Sequence, residues 1–226
     1  MARQTRKTSG KSAPDDSAAQ QQIIDAAMRL AALQGWADTT MSDIAQEAGV
    51  ELATLRRLFG HKLAILAGLF RRVDEAMLTG IDPHLADEPV KDRLFDLIMR
   101  RLDAMEPYRD GIAAVLRDLR RDPPALAWLA AGPVRNSLEW ALDAAHVRRW
   151  GPLAPLQTKG LGLVFVAVMR VWLKDDSEDK GPTMAALDKA LGRADSLAGL
   201  LRRGPRRRRR DRQETPTDAS EETASD

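Results

Sequence analysis

A chain of 226 residues is long enough to bury a substantial core in one or two domains. With 44% apolar and 30% charged residues it reads as a soluble globular protein. The absence of cysteine excludes disulfides and thiolate metal sites and fits a reducing, cytoplasmic setting. The net charge of +2 hides an uneven distribution. Arg3, Arg6, Lys7 and Lys11 stand without an acid in residues 1–14, eight arginines face only Asp211 in 202–212, and 213–226 hold five acids and no base. The body between is slightly acidic. Such basic ends suit the neutralisation of phosphates, and equally a solvated tail that keeps the chain soluble. The N-terminus lacks the apolar stretch of a secretory signal. The longest apolar run, Leu161 to Met169, is about half of what a bilayer span requires, so no membrane span is expected.

Helical periodicity runs through the chain and strand alternation is nearly absent. Ile23, Ala27, Leu30 and Ala31 line one face of a first helix, with Ser17 as its expected N-cap and Gly35 as its stop. Thr40 caps a short helix from Met41 to Ala48, and Gly49 follows it. A third helix is expected from Leu52 to about Phe59, and a fourth from about Lys62 to Thr79. Two prolines make Ile81 to Pro89 a connection. Val90, Leu94, Leu97, Ile98, Leu102 and Met105 form the next stripe, ended by Pro107. Ile112, Val115, Leu116 and Leu119 form another, ended by Pro123 and Pro124. A helical stretch with Trp128 and Trp140 then runs to about His146, with a candidate break at Gly132–Pro133. After the connection at Gly151, Pro152 and Pro155, the segment Leu161–Leu173 is apolar nearly all round and must be buried in a core or at a subunit interface. A last helix spans about Thr183 to Arg202. The class is all-α, with about nine helices. The expected domains are a disordered basic arm (1–16), a helix-turn-helix module (17–70), a helical regulatory and dimerisation domain (71–203) and a disordered Arg-rich, then acidic, tail (204–226).

Within Gln20 to Leu69, a helix, a capped short helix, a glycine turn and a second short helix make the skeleton of a helix-turn-helix. Gly49 can take the positive φ that a tight reversal needs. Ile44, Ala45, Val50 and Leu55 are the apolar residues that would fix the angle between the two short helices. The second of these must then turn small or polar residues outward, toward base edges in a major groove.

These residues resemble the TetR family of transcriptional regulators. The pattern is Ala26–Ala27, Gly35–Trp36, Thr39–Thr40, Ile44–Ala45, Ala48–Gly49–Val50, Thr54–Leu55, Phe59 and Lys62. The resemblance implies a homodimer on palindromic double-stranded DNA, acting as a repressor released by a small hydrophobic effector. It places Leu52, Ala53, Thr54, Arg56 and Arg57 on the recognition helix, lets Thr40 and Lys62 meet phosphates, and brings Ser42 and His61 into the same surface. Arg56 stands where the family commonly has tyrosine, and can replace a neutral phosphate bond by a charge-assisted one. Leu58 stands where histidine is common and donates nothing; Leu52 is apolar where polar residues are usual. Glu51 adds negative charge beside the expected phosphates, although an acid also suits the start of a helix.

A shorter resemblance points elsewhere. Trp172 to Asp179, with Thr183 and Leu187–Asp188, is similar to the C-terminal part of the TetR-fold lipid-binding proteins of ubiquinone biosynthesis, which implies a lipid- or quinone-binding accessory protein that does not bind DNA. An acidic loop is more often plain solvated surface. Asp175, Asp176, Glu178 and Asp179 lack the ligand spacing and glycine of a calcium loop. The three histidines show no ligand or triad spacing, no catalytic constellation is present, and neither enzyme activity, cofactor nor metal is expected. Trp128, Trp140, Phe165, Met169 and Trp172 are the candidate lining of an effector pocket, or simply core.

Overall fold

Spacings of three and four between apolar residues fold this chain into helices. The computed structural model describes residues 13–81, 86–147 and 154–202. Among them lie α1 (Ala13–Gln34), α2 (Met41–Ala48), α3 (Leu52–Leu58), α4 (Lys62–Leu78), α5 (Val90–Met105), α6 (Arg109–Leu119), α7 (Pro123–Leu129), α8 (Arg135–Ala144), α9 (Ala154–Trp172) and α10 (Gly181–Arg202). The described residues contain no strand. The all-α expectation holds, and the helix count is close to the expected nine. The basic arm at Arg3 to Lys11 and the tail from 204 lie outside the described residues.

Two local expectations need correction. The first helix begins at Ala13, so Ser17 lies inside it rather than capping it. Asp16 sits in its first turn, where a carboxylate complements the partial positive charge of a helix start. The chain also does not break at Gly132–Pro133. Ala130–Val134 forms a π-turn that carries α7 directly into α8, with Pro133 inside it. Proline cannot supply the usual helical N–H, and a wider turn absorbs that loss without ending the helix.

Helices α1 to α3 and the start of α4 form an N-terminal head; α5 to α10 form the body around the rest of α4. Ile23, Ile24, Ala26, Ala27, Met28 and Ala31 bury the inner faces of α1. This helix crosses α6 at very short range: a Cβ added to Gly111 would lie 2.5 Å from the Met28 carbonyl oxygen. Beside the crossing, Asp25 of α1 accepts from the Tyr108 hydroxyl at 2.7 Å and pairs with Arg72 of α4 at 3.0 Å. Burial, followed by the Asp25 contact, pushes the Tyr108 phenol up to about 12. The expected domain boundary at 70/71 falls inside α4, which runs unbroken from the head into the body.

The body encloses a charge. Arg101 of α5 pairs with Asp74 of α4, which also accepts from the Ser137 hydroxyl of α8, and all three residues are buried. The guanidinium lies between the rings of Phe70 and Phe165, with its centre 5.6 and 5.3 Å from their centroids. Buried charges persist only when paired and hydrogen-bonded. Here the pair ties three helices together.

The acidic segment between α9 and α10 has an internal role. Asp175 accepts from the hydroxyl and backbone N–H of both Ser177 and Thr183, closing the turn onto the start of α10. Arg109 donates to the carbonyls of Trp172 at 2.7 Å and Asp175 at 2.6 Å. Glu106 accepts from the Trp172 indole at 3.1 Å, and Lys180 bridges Asp103 and Glu106.

Two outcomes follow from these contacts. Gly111→Ala should lower the denaturation midpoint, corresponding to about 1–3 kcal/mol, although alanine is the better helix former by about 1 kcal/mol; a gain in stability would mean that the crossing opens freely. Asp175 provides a pH signature. The hydroxyl donors Ser177 and Thr183 hold its carboxyl at about 2, below its ordinary 3.8. A depressed carboxylate stabilises the fold above the unfolded pKa and loses that contribution as pH falls through the folded one. The Tm gap between wild type and Asp175→Asn should therefore be open at pH 6 and narrow between about pH 4 and pH 2, and a constant gap would contradict it.

Candidate nucleic-acid interface

The α2–turn–α3 unit is assembled from local signals that agree. Thr40 accepts from the Asp43 N–H at 3.1 Å while Asp43 accepts from the Thr40 N–H at 2.9 Å, a reciprocal cap at the start of α2. The preceding threonine serves the interior instead, since Thr39 turns inward and donates to the Gly35 carbonyl at 2.7 Å. Gly49 ends α2 at φ 66°, ψ 30°, and the Val50 N–H reaches back to the Ala45 carbonyl at 3.0 Å. No neighbour crowds Gly49, so it is the backbone conformation that asks for glycine. Ile44, Ala45 and Leu55 are buried, with Val50 packed against them, and they fix α3 at its angle.

Helix α3 presents Leu52, Ala53, Arg56 and Arg57 to solvent, with Thr54 half-buried. Leu58 packs against the core, which accounts for an apolar residue there. Leu52 has no such reason: it is 49% exposed on the outer face. Glu51 occupies the N-cap position of α3 but makes no side-chain capping bond. Ser42 is exposed on α2, and Thr40, besides capping, is exposed at its start.

Three of the candidate residues face the protein. Arg57 forks onto Asp16 of α1, with both guanidinium contacts at 2.9 Å. That hydrogen bond holds the Asp16 carboxyl below its ordinary range. The Lys62 ammonium donates to the Trp36 carbonyl and lies 4.4 Å over the Trp36 ring. Burial lowers its pKa, against the pull of Asp118, Asp38 and Asp43. His61 occupies the N-cap position of α4 without a side-chain capping bond and meets Trp128 edge-on at 5.3 Å, a contact between the head and α7. Nearby, Asp118 of α6 accepts from the Ala37 N–H at 2.9 Å.

The five candidate pocket residues differ in burial. Phe165, Met169 and Trp172 are buried on α9, whereas Trp128 is 43% and Trp140 52% exposed. Asp16, Asp118, Asp74, Arg101 and Ser137 make long-range polar contacts that sequence reasoning misses. The one visible signal among them is Arg101, which stands among Leu97, Ile98, Leu102 and Met105 on the apolar stripe of α5. Among the described residues, no helix is long and apolar enough to cross a membrane.

Residues 23–69 match the family model described as bacterial regulatory proteins, tetR family. Solved structures are similar over most of the chain. A TetR transcriptional regulator from Nitrosomonas europaea superposes with a TM-score of 0.63 at 25% identity, covering 79% of this chain and 98% of its own. One from Rhodococcus sp. RHA1 gives 0.56 at 19% identity, covering 80% and 97%. One from Streptomyces coelicolor gives 0.54 at 18% identity, covering 82% and 85%. No curated protein sequence matches the chain.

Proposed function

We propose that this chain, a transcriptional regulator with a tetR-family N-terminal domain on a TetR-fold body, binds palindromic double-stranded DNA as a homodimer and lets go when a small hydrophobic effector occupies the body. The observation that carries the reading is the outward face of α3. The cap at Thr40, the left-handed Gly49 and the buried Ile44 and Leu55 hold that helix rigidly, while Leu52, Ala53, Arg56 and Arg57 remain outside. A short rigid helix with small, apolar and arginine side chains outward is suited to a major groove, where arginine can meet guanine bidentately and Leu52 or Thr54 can touch a thymine methyl. Thr40 and Ser42 at the start of α2 are placed to accompany it along the phosphates, and Lys62 and His61 join only by releasing Trp36 and Trp128.

A second copy is supported by the last two helices. On α9, Leu156, Leu163 and Val166 form an exposed apolar face, Leu163 being 74% exposed, and α10 adds Ala185 and Leu197. A two-fold pairing of these helices makes a self-complementary interface and sets the two α3 helices a fixed distance apart. The effector would pack against Phe165 and Met169; Phe165 lies against Arg101, whose partner Asp74 is on the α4 helix that runs to the head. It can shift the head only by its difference in affinity for the two conformers.

Two measurements test this. Gel shifts against genomic fragments should find one bound well above bulk duplex. In the double variant Arg56→Ala, Arg57→Ala that preference should collapse by about 10- to 100-fold, the loss expected for about 1–3 kcal/mol of base discrimination; no preferred fragment for the wild type would overturn the reading. Light scattering should give a dimer for the wild type and a monomer for Leu163→Asp. A dimeric variant would place the interface elsewhere.

A further inference from the structure

One of the two arginines exposed on α3 is already occupied. Arg57 lies exposed on α3, yet both arms of its fork are engaged at 2.9 Å by the two oxygens of Asp16, forty-one residues earlier in the first turn of α1. A carboxylate held in this way is the same two-point acceptor, in shape and charge, that a phosphate or the O6/N7 edge of guanine offers to arginine. The fold does not need the pair to hold α3, because Leu55 is fully buried and Phe59 nearly so, and they anchor that helix. Both partners are solvent-accessible, with side chains 56% and 31% exposed, and such pairs add little to stability. They are also easily exchanged. A carboxylate left free on the face presented to a polyanion, by contrast, repels it.

We propose that Asp16 sets DNA affinity by acting as an internal competitor for DNA: it clasps Arg57, and a DNA site gains that arginine only by displacing the carboxylate with a better two-point acceptor. The proposal rests on the DNA-binding reading above. Bulk duplex, offering phosphates in poor register, leaves the clasp closed and meets a neutralised pair where it would meet a base. A matched site, aligned by the rest of α3 and by α2, opens it. The clasp thus lowers affinity for both, at the matched site by the cost of opening the pair and on bulk duplex by the loss of the arginine contact.

The test uses the full chain and its Asp16→Asn variant, with affinities for a random-sequence duplex measured by fluorescence anisotropy over a salt series. Thermal unfolding of both proteins checks that the fold is retained. Asp16→Asn should bind the random duplex several-fold more tightly, and adding Arg57→Ala should remove that gain. A salt slope steeper by about 0.9 would make the acceptor a phosphate; an unchanged slope with the gain confined to guanine-containing duplexes would make it the base edge. Either result supports the clasp. Unchanged or weaker binding by Asp16→Asn overturns it, and so does a gain that survives Arg57→Ala, since the acid would then act without the arginine. If neither protein binds duplex even at low salt, the DNA-binding reading has failed and the clasp with it.

Discussion

The contact on which the molecule most depends is the crossing of α1 and α6 at Gly111. Backbone meets backbone there, with no room for a single carbon between Gly111 and Met28. Because α1 is the base of the head and α6 belongs to the body, this approach fixes the orientation of everything that α1 carries. The polar contacts around it take their positions from it: Tyr108 and Arg72 converge on Asp25, and Asp118 reaches the Ala37 N–H. Head and body therefore do not meet through a flexible linker. They share a close-packed seam and a continuous helix, α4, whose first turn belongs to the head and whose Asp74 belongs to the body's buried ion pair.

This arrangement bears on how a signal could pass between the two parts. Packed cores and interfaces switch between discrete arrangements rather than deforming gradually. A change in packing near Phe165 meets Arg101, whose partner Asp74 rides on α4. The start of α4 holds His61 against Trp128 and Lys62 against Trp36. The groups expected to touch phosphate are thus the same groups that bind the head to itself and to α7. In the proposed reading, contact with DNA and these internal contacts would draw on one set of side chains.

How much of this is legible in the sequence depends on how local each determinant is. The bounds of α2 can be read to the residue, because the cap at Thr40 and the left-handed Gly49 lie next to the helix that they delimit. The start of α1 is misleading because Ser17 is as good a capping residue as Ser12, although Pro14 and the acids at 15 and 16 are start signals that favour the earlier one. The clasp between Asp16 and Arg57 and the pair between Asp74 and Arg101 join residues distant in sequence; no short-range pattern specifies which acid meets which base. The different burial of the candidate pocket residues is illegible for a related reason. Aromatic residues at helical spacing declare a buried face only when the phase of the helix is known, and between Trp128 and Trp140 the phase changes.

That change comes from the π-turn at Ala130–Val134. Each residue of an α-helix advances the face by about 100°, so a turn that absorbs one extra residue rotates all that follows by about that amount. In an uninterrupted α-helix Leu129 and Ser137 would point about 80° apart; with the wide turn they come within about 20° of each other. One unbroken rod can then lay Leu129 into the core and still deliver the Ser137 hydroxyl to Asp74. The turn is a phase shifter. Without it the Ser137 hydroxyl would be turned about 100° away from the carboxylate in the middle of the body.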